Sequence, residues 1–196
     1  MLRSLTLLCA LLLANVALSA ETSFQLQTES ELTLSISQEA EEAIDRAQRW
    51  LKANPNATNR IERLLHNYAL ANPGDAPIVL YRCDITPLEY AMPQPEALST
   101  ITNLTTFIET ERPSMKRLFA LQRDLPLEHP LPNWRETITL AIINAQKVTP
   151  QGGHWGSPEE TRWAILALRS LLNESVPIRI AQRGRFKTVR HVLIGD

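Results

Sequence analysis

The chain has 196 residues, 44% hydrophobic and 21% charged, with a formal net charge of -1. This length supports one domain with a real core, and the balanced charge excludes the strong field that would draw nucleic acid or an anionic membrane. Six glycines against thirteen prolines argue against a glycine-rich phosphate cradle and for helices broken by proline.

Met1 to Ala20 carries one cation at Arg3, an apolar run from Leu5 to Leu13, and small residues at Ala17, Ser19 and Ala20. This is the layout of a secretory signal peptide, with an apolar run too short to span a bilayer. Export to the periplasm or medium is therefore expected, with cleavage after Ser19 or Ala20. Leu7 and Leu8 precede Cys9 where a lipoprotein signal would place a small residue. Cleavage leaves Cys83 as the single cysteine. It reads as a buried, inert thiol, the other reading being a pair with a second molecule. One cysteine and the scattered His66, His129, His154 and His191 do not assemble a zinc site, and no metal or cofactor is expected.

Residues 21–36 read as a polar N-terminal arm. A first helix is predicted over 37–53, where Ala40, Ala43, Ile44, Ala47, Trp50 and Leu51 follow the helical period. Ser35 and Gln38 are placed as its capping box, and its acids precede Arg49 and Lys52 as the helix dipole favours. A second helix is predicted over 58–71, ended by Asn72-Pro73-Gly74-Asp75. Ile78 to Cys83 reads equally as a short strand or a buried loop. It lies in a proline-rich stretch, Ala76 to Pro95, that is the candidate linker. Helices over 95–109 and 113–122 follow, and a fifth starts near Pro132 with Trp134, Ile138, Ala141, Ile142 and Ala145. The loop Gln151-Gly152-Gly153-His154-Trp155-Gly156 leads into a sixth helix. Ser157 is its N-cap, Pro158 its first residue, and Glu160 closes a capping box. Trp163, Ala164, Ala167, Leu168, Leu171 and Leu172 form its apolar face. From 177 to 196 apolar and polar residues alternate about Gly184, predicting a terminal β-hairpin.

Ala43–Trp50 and Ala141–Val148 share Ala, Ile, Ala and Gln in register. The echo points to helix-loop-helix pairs in series. The expected fold is mainly α: about three antiparallel helical hairpins over 37–176, followed by the small β-hairpin.

The run "AIINAQK", "TPQGGHWG", "SPEETRWAILALRSLL" resembles one repeat of the α/α-toroid proteins, namely the terpenoid (squalene) cyclases, the protein prenyltransferase β subunits and the thioester domains of complement and macroglobulin proteins. The matching residues are Gln151, Gly152, Gly153, Trp155, Gly156, Thr161, Ala164, Ala167 and Leu168. "AIDRAQRWLKANPN" resembles the first helix of another repeat, without the Gly-Trp turn after it. The resemblance implies a fold element in which Gly permits a tight turn and Trp packs between hairpins. The predicted helices make half such a ring, so an enclosed cavity would need a homodimer. The family's chemistry does not follow. The cyclases' acidic run is absent, Cys83 is followed by Asp84-Ile85-Thr86 and not by the thioester Gly-Glu-Gln, and the prenyltransferase zinc set is not recoverable.

Two candidate sites remain. His154 and Trp155 form either an acid–base loop or a structural corner; the histidine has the right pKa range but no indicated partner. Arg183, Arg185 and Lys187 form either a face for an anionic partner or a solvated strand face. Trp50, Trp134 and Trp163 fall on apolar helix faces and read as core. Asn56, Asn103 and Asn173 open glycosylation triplets. The expected function is an exported, non-catalytic α-helical domain that binds a partner protein or a small ligand. The alternative is a toroid-like enzyme, or enzyme subunit, acting on an apolar substrate near His154. Nucleic acid is not an expected partner.

Overall fold

The computed structural model describes residues 34–93, 101, 103–124, 133–174, 176, 178–182 and 185–189. The chain divides into two units, Met1–Gln38 and Glu39–Asp196. Of the first unit only residues 34–38 are described, and they are helical. The predicted signal segment and most of the predicted arm lie outside the described residues. The second unit is mainly helical, with a few short strands.

Helix α1 occupies residues 34–53. Ser35 is already helical, so the capping box predicted at Ser35 and Gln38 does not start it. Ala40, Ala43, Ala47 and Leu51 are fully buried, on the face their spacing predicted. Asn54 closes the helix by donating its backbone N–H and its Nδ2 to Trp50 O.

Helix α2, Arg60–Leu70, begins two residues later than predicted because Asn59 caps it, accepting the Glu62 N–H at 2.9 Å. Its last four carbonyls would be orphans in an isolated helix. Here each has a donor. Asn67 O accepts from Ala71 N, and Tyr68 O accepts from Arg169 Nη1 at 2.9 Å. Gln48 Nε2 reaches Ala69 O at 3.1 Å and Leu70 O at 3.2 Å. Side chains of two other helices thus finish α2.

Of the stretch expected to be a linker, residues 76–93 are described, and most of them form regular structure. Strand β1, Ile78–Tyr81, runs directly into helix α3, Arg82–Ala91. Buried Asp84 starts the helix by accepting the Tyr81 N–H at 2.9 Å, and Arg60 pairs with its carboxylate. Pro87 sits inside α3, where it removes one backbone donor. Cys83 is exposed, against the buried thiol expected.

Helix α4 is Leu104–Glu111 and does not start at Pro95, because Asn103 is its extended N-cap, accepting from Thr106 N at 3.1 Å. Helix α5 is Met115–Asp124 and α6 is Trp134–Asn144. Strands β2, Lys147–Thr149, and β3, Gly152–His154, pair antiparallel where a loop was expected. The echoed string therefore folds in two ways: Ala43–Trp50 is all helix, while its counterpart leaves the helix after Asn144.

Helix α7, Pro158–Leu171, is the centre of the unit. Thr161 through Arg169 are all buried, not only the predicted apolar face. A helix buried all round is a core helix, and α7 packs on α5 most extensively and also on α2 and α6. Strand β4, Ile178–Gln182, pairs antiparallel with β5, Arg185–Val189, and parallel with β1, so β4 is the middle strand of the order β1-β4-β5. Ile78 faces Ile178 in the parallel pair. No helix among the described residues is long and apolar enough to cross a membrane.

Candidate functional site

The corner between α6 and α7 is built by close approach. Gly152 has φ +131, and a Cβ there would lie 2.3 Å from Arg46 O and 2.9 Å from Trp50 N. Only glycine lets β3 rest on the α1 backbone. A Cβ on Gly153 would lie 2.5 Å from the Gln146 amide. That amide is itself fixed, since Gln146 Nε2 donates to Ala43 O at 2.8 Å and Oε1 accepts from Arg46 Nε at 2.9 Å.

The two predicted loop residues are absorbed into this joint. The His154 ring stacks on Trp50 at 4.7 Å, and its Nδ1 accepts the Gly156 N–H at 3.0 Å. Among the described residues no carboxylate hydrogen-bonds to it. Trp155 is buried, donating its indole N–H to Ile142 O at 2.7 Å and its backbone N–H to Thr161 Oγ1 at 3.1 Å. Ser157 accepts the Glu160 N–H as predicted, but the Glu160 carboxylate does not complete the capping box. It accepts the Met115 N–H at 2.7 Å and so caps α5. These bonds hold α1, α5, α6 and α7 in register.

A cleft of about 460 Å³ opens between α2, α5 and the first turns of α7, with Ala91 at its edge. Trp163, Leu65 and Ile61 give it an apolar floor. Its charges differ in how they are occupied. Arg60 is paired with Asp84. Glu62 accepts from Thr58 N, Thr58 Oγ1 and Asn59 Nδ2, so its carboxylate serves the start of α2. Lys116 places Nζ 5.2 Å from the centre of the Trp163 ring. Arg162 is 4% exposed, and its Nη1 donates to Asn56 O at 2.9 Å.

Among the described residues no carboxylate lies within ion-pair distance of Arg162. Burial pushes its pKa down, and the more distant Glu62 and Glu159 only partly oppose this. The same guanidinium acts on His66, a buried residue of α2 whose Nδ1 has no hydrogen-bond partner. Burial first and Arg162 second hold the His66 pKa below its ordinary value.

Sequence reasoning missed Arg162 and Lys116. The available signal was Arg162 and Arg169 as the only charges in the otherwise uncharged run from Thr161 to Asn173. Arg169 is 1% exposed and serves Tyr68 O, while Arg162 meets the cleft. Arg185 and Lys187 enter as backbone of β5, and Arg183 lies outside the described residues, as does the face their side chains would form. Among the described residues no three His, Cys, Asp or Glu side chains gather as a metal site. No family model, curated protein or solved structure matches the chain.

Proposed function

We propose that the mature chain is an exported, non-catalytic helical domain that binds a small ligand in the cleft between α2, α5 and α7. The observation that carries this reading is a nearly buried guanidinium, Arg162, with no ion-pair partner among the described residues, at the edge of an apolar floor made by Trp163, Leu65 and Ile61. The cleft volume falls in the range that small-molecule sites occupy, roughly 300–1,000 Å³. Apolar floors with a few placed polar groups are also the usual make-up of such sites. Helix α2 in the wall is capped at both ends, by Asn59 and by Gln48 and Arg169, and α7 is the core helix.

Export rests on the three-part segment at residues 1–20. The same proposal takes the corner from α6 to α7 as a toroid-type hairpin in a half-ring of three helical hairpins. Its support is the glycine contact at Gly152 and the Trp155 indole held by Ile142 O.

The test is amide chemical-shift mapping of the mature protein against a library of small fragments. Ligands are expected to perturb residues 59–65, 116 and 159–163 together. Hits that perturb only other surfaces, or no hits with a folded protein, would sink the reading.

A further inference from the structure

Arg162 is nearly buried and has no ion-pair partner among the described residues. A buried guanidinium is costly unless a carboxylate or several acceptors neutralise it. Arg60, at the same cleft and half exposed, has the buried Asp84 as its ion-pair partner. Arg169, equally buried on the same helix, has Glu174 at 3.8 Å. Arg162, by contrast, has one hydrogen-bond acceptor among the described residues, Asn56 O. A guanidinium carries five donors in a planar fork, and no other nitrogen of Arg162 is both buried and unpaired, so its remaining donors are open to solvent or to a ligand at the cleft.

Lys116 adds a second cation, held against the Trp163 ring. Glu62 and Glu159 are the acids of the rim; both act on Arg162 from beyond ion-pair distance, and Glu62 also accepts hydrogen bonds at the start of α2. Two cations that have no ion-pair partner among the described residues, beside an apolar floor, form a seat for an anion with an apolar body.

Resting on the binding role proposed above, we infer that the cleft recognises a carboxylate carrying an apolar group. The carboxylate meets the Arg162 fork with Lys116 beside it, and the apolar group lies on Trp163 and Leu65. Planar carboxylates match the guanidinium fork through two parallel hydrogen bonds. A small organic acid and the C-terminal residue of a peptide present the same chemistry.

The experiment titrates the full mature protein with phenylacetate, phenylacetamide, the peptide Gly-Gly-Phe with a free C-terminus, and its C-terminal amide. Cleft amides and the Arg162 Nε signal are followed by NMR. The acids are expected to bind at least about tenfold more tightly than their amides, the effect of losing a charge-assisted hydrogen bond, and to weaken as salt is raised. Arg162→Met should lose about tenfold or more in affinity for the acid. Lys116→Gln, which removes the cation from the Trp163 ring, should lose a few-fold in affinity for the acid, with little change for the amide.

A peptide acid that outbinds phenylacetate supports the inference and makes the natural source a chain terminus. The reverse order supports it and makes the source a free acid. Amides that bind as tightly as acids overturn the inference and leave the cleft a binding site for neutral ligands. Probes that leave the cleft amides unmoved, together with a fragment library that does the same, overturn both.

Discussion

Gly152 and Gly156 are two turns of phrase in one motif, yet they carry different physics. Both have positive φ, +131 and +93. A methyl group at Gly152 would collide with Arg46 O, while one at Gly156 would meet nothing within 4 Å. Gly152→Ala must push β3 off α1, so we expect a loss of about 2–3 kcal/mol. Gly156→Ala carries backbone strain alone, about 1 kcal/mol. Urea unfolding of the two variants checks the order, and equal losses would contradict the close contact. At this scale the sequence was informative about the joint, since Gly-Gly-His-Trp-Gly announced a tight corner. It was uninformative about what the corner touches. Arg46, Trp50 and Gln146 meet across about a hundred residues of chain, and no local pattern records such a meeting. Arg162 was illegible for the same reason: its meaning lies in which acids do not reach it.

Helix ends divided into those that local chemistry sets and those that tertiary partners set. Asn59, Asn103 and Ser157 each accept an N–H three residues on, and short polar caps of this kind are readable from sequence. Ser157 was read so. Asn103 was hidden by a helix extended too far toward Pro95. Helix α3 was missed because Pro87 argued for a linker, whereas Asp84, fixed by Arg60 and Tyr81 N, starts a helix that tolerates the proline. The far end of α2 belongs to the other class. Gln48, 5% exposed, looks like an ordinary helical glutamine in α1, but it supplies Ala69 O and Leu70 O. Gln48→Leu keeps the volume and leaves those carbonyls without their donor. We expect it to cost about 2 kcal/mol or more, with faster hydrogen exchange in the last turn of α2. An unchanged urea midpoint would show that water replaces the amide without loss.

Among the described residues His66, Asp84 and Glu62 have folded-state pKa values below their ordinary ones, and the first two are buried. The folded-state pKa of His66 is lowered, by burial first and by Arg162 second, so the unfolded chain takes up a proton that the folded chain resists. Its stabilising share is complete above about pH 6.5 and is lost as pH falls through the folded pKa. Asp84 is also lowered. Burial opposes its charge, and the hydrogen bonds from Arg60 and Tyr81 N outweigh that cost. Its share is complete above about pH 3.9 and disappears at lower pH. The urea midpoint should therefore fall in two stages on acidification, and His66→Phe should remove the upper stage. A midpoint flat from about pH 7 to pH 5 would contradict the buried histidine. The mainly helical class was legible at this scale because the helical period is local. The parallel pairing of β1 with β4 was not, because β1 finds its neighbour about a hundred residues further along the chain. That parallel pairing of Ile78 with Ile178 also orders events in time. Closing so long a loop is entropically slow, and β4 emerges from synthesis only after every helix among the described residues has been made. Until then β1 presents open backbone groups and the exposed side chains of Val79 and Tyr81, a ready template for another strand. The chain is thus most vulnerable to misassociation in the interval before β4 arrives.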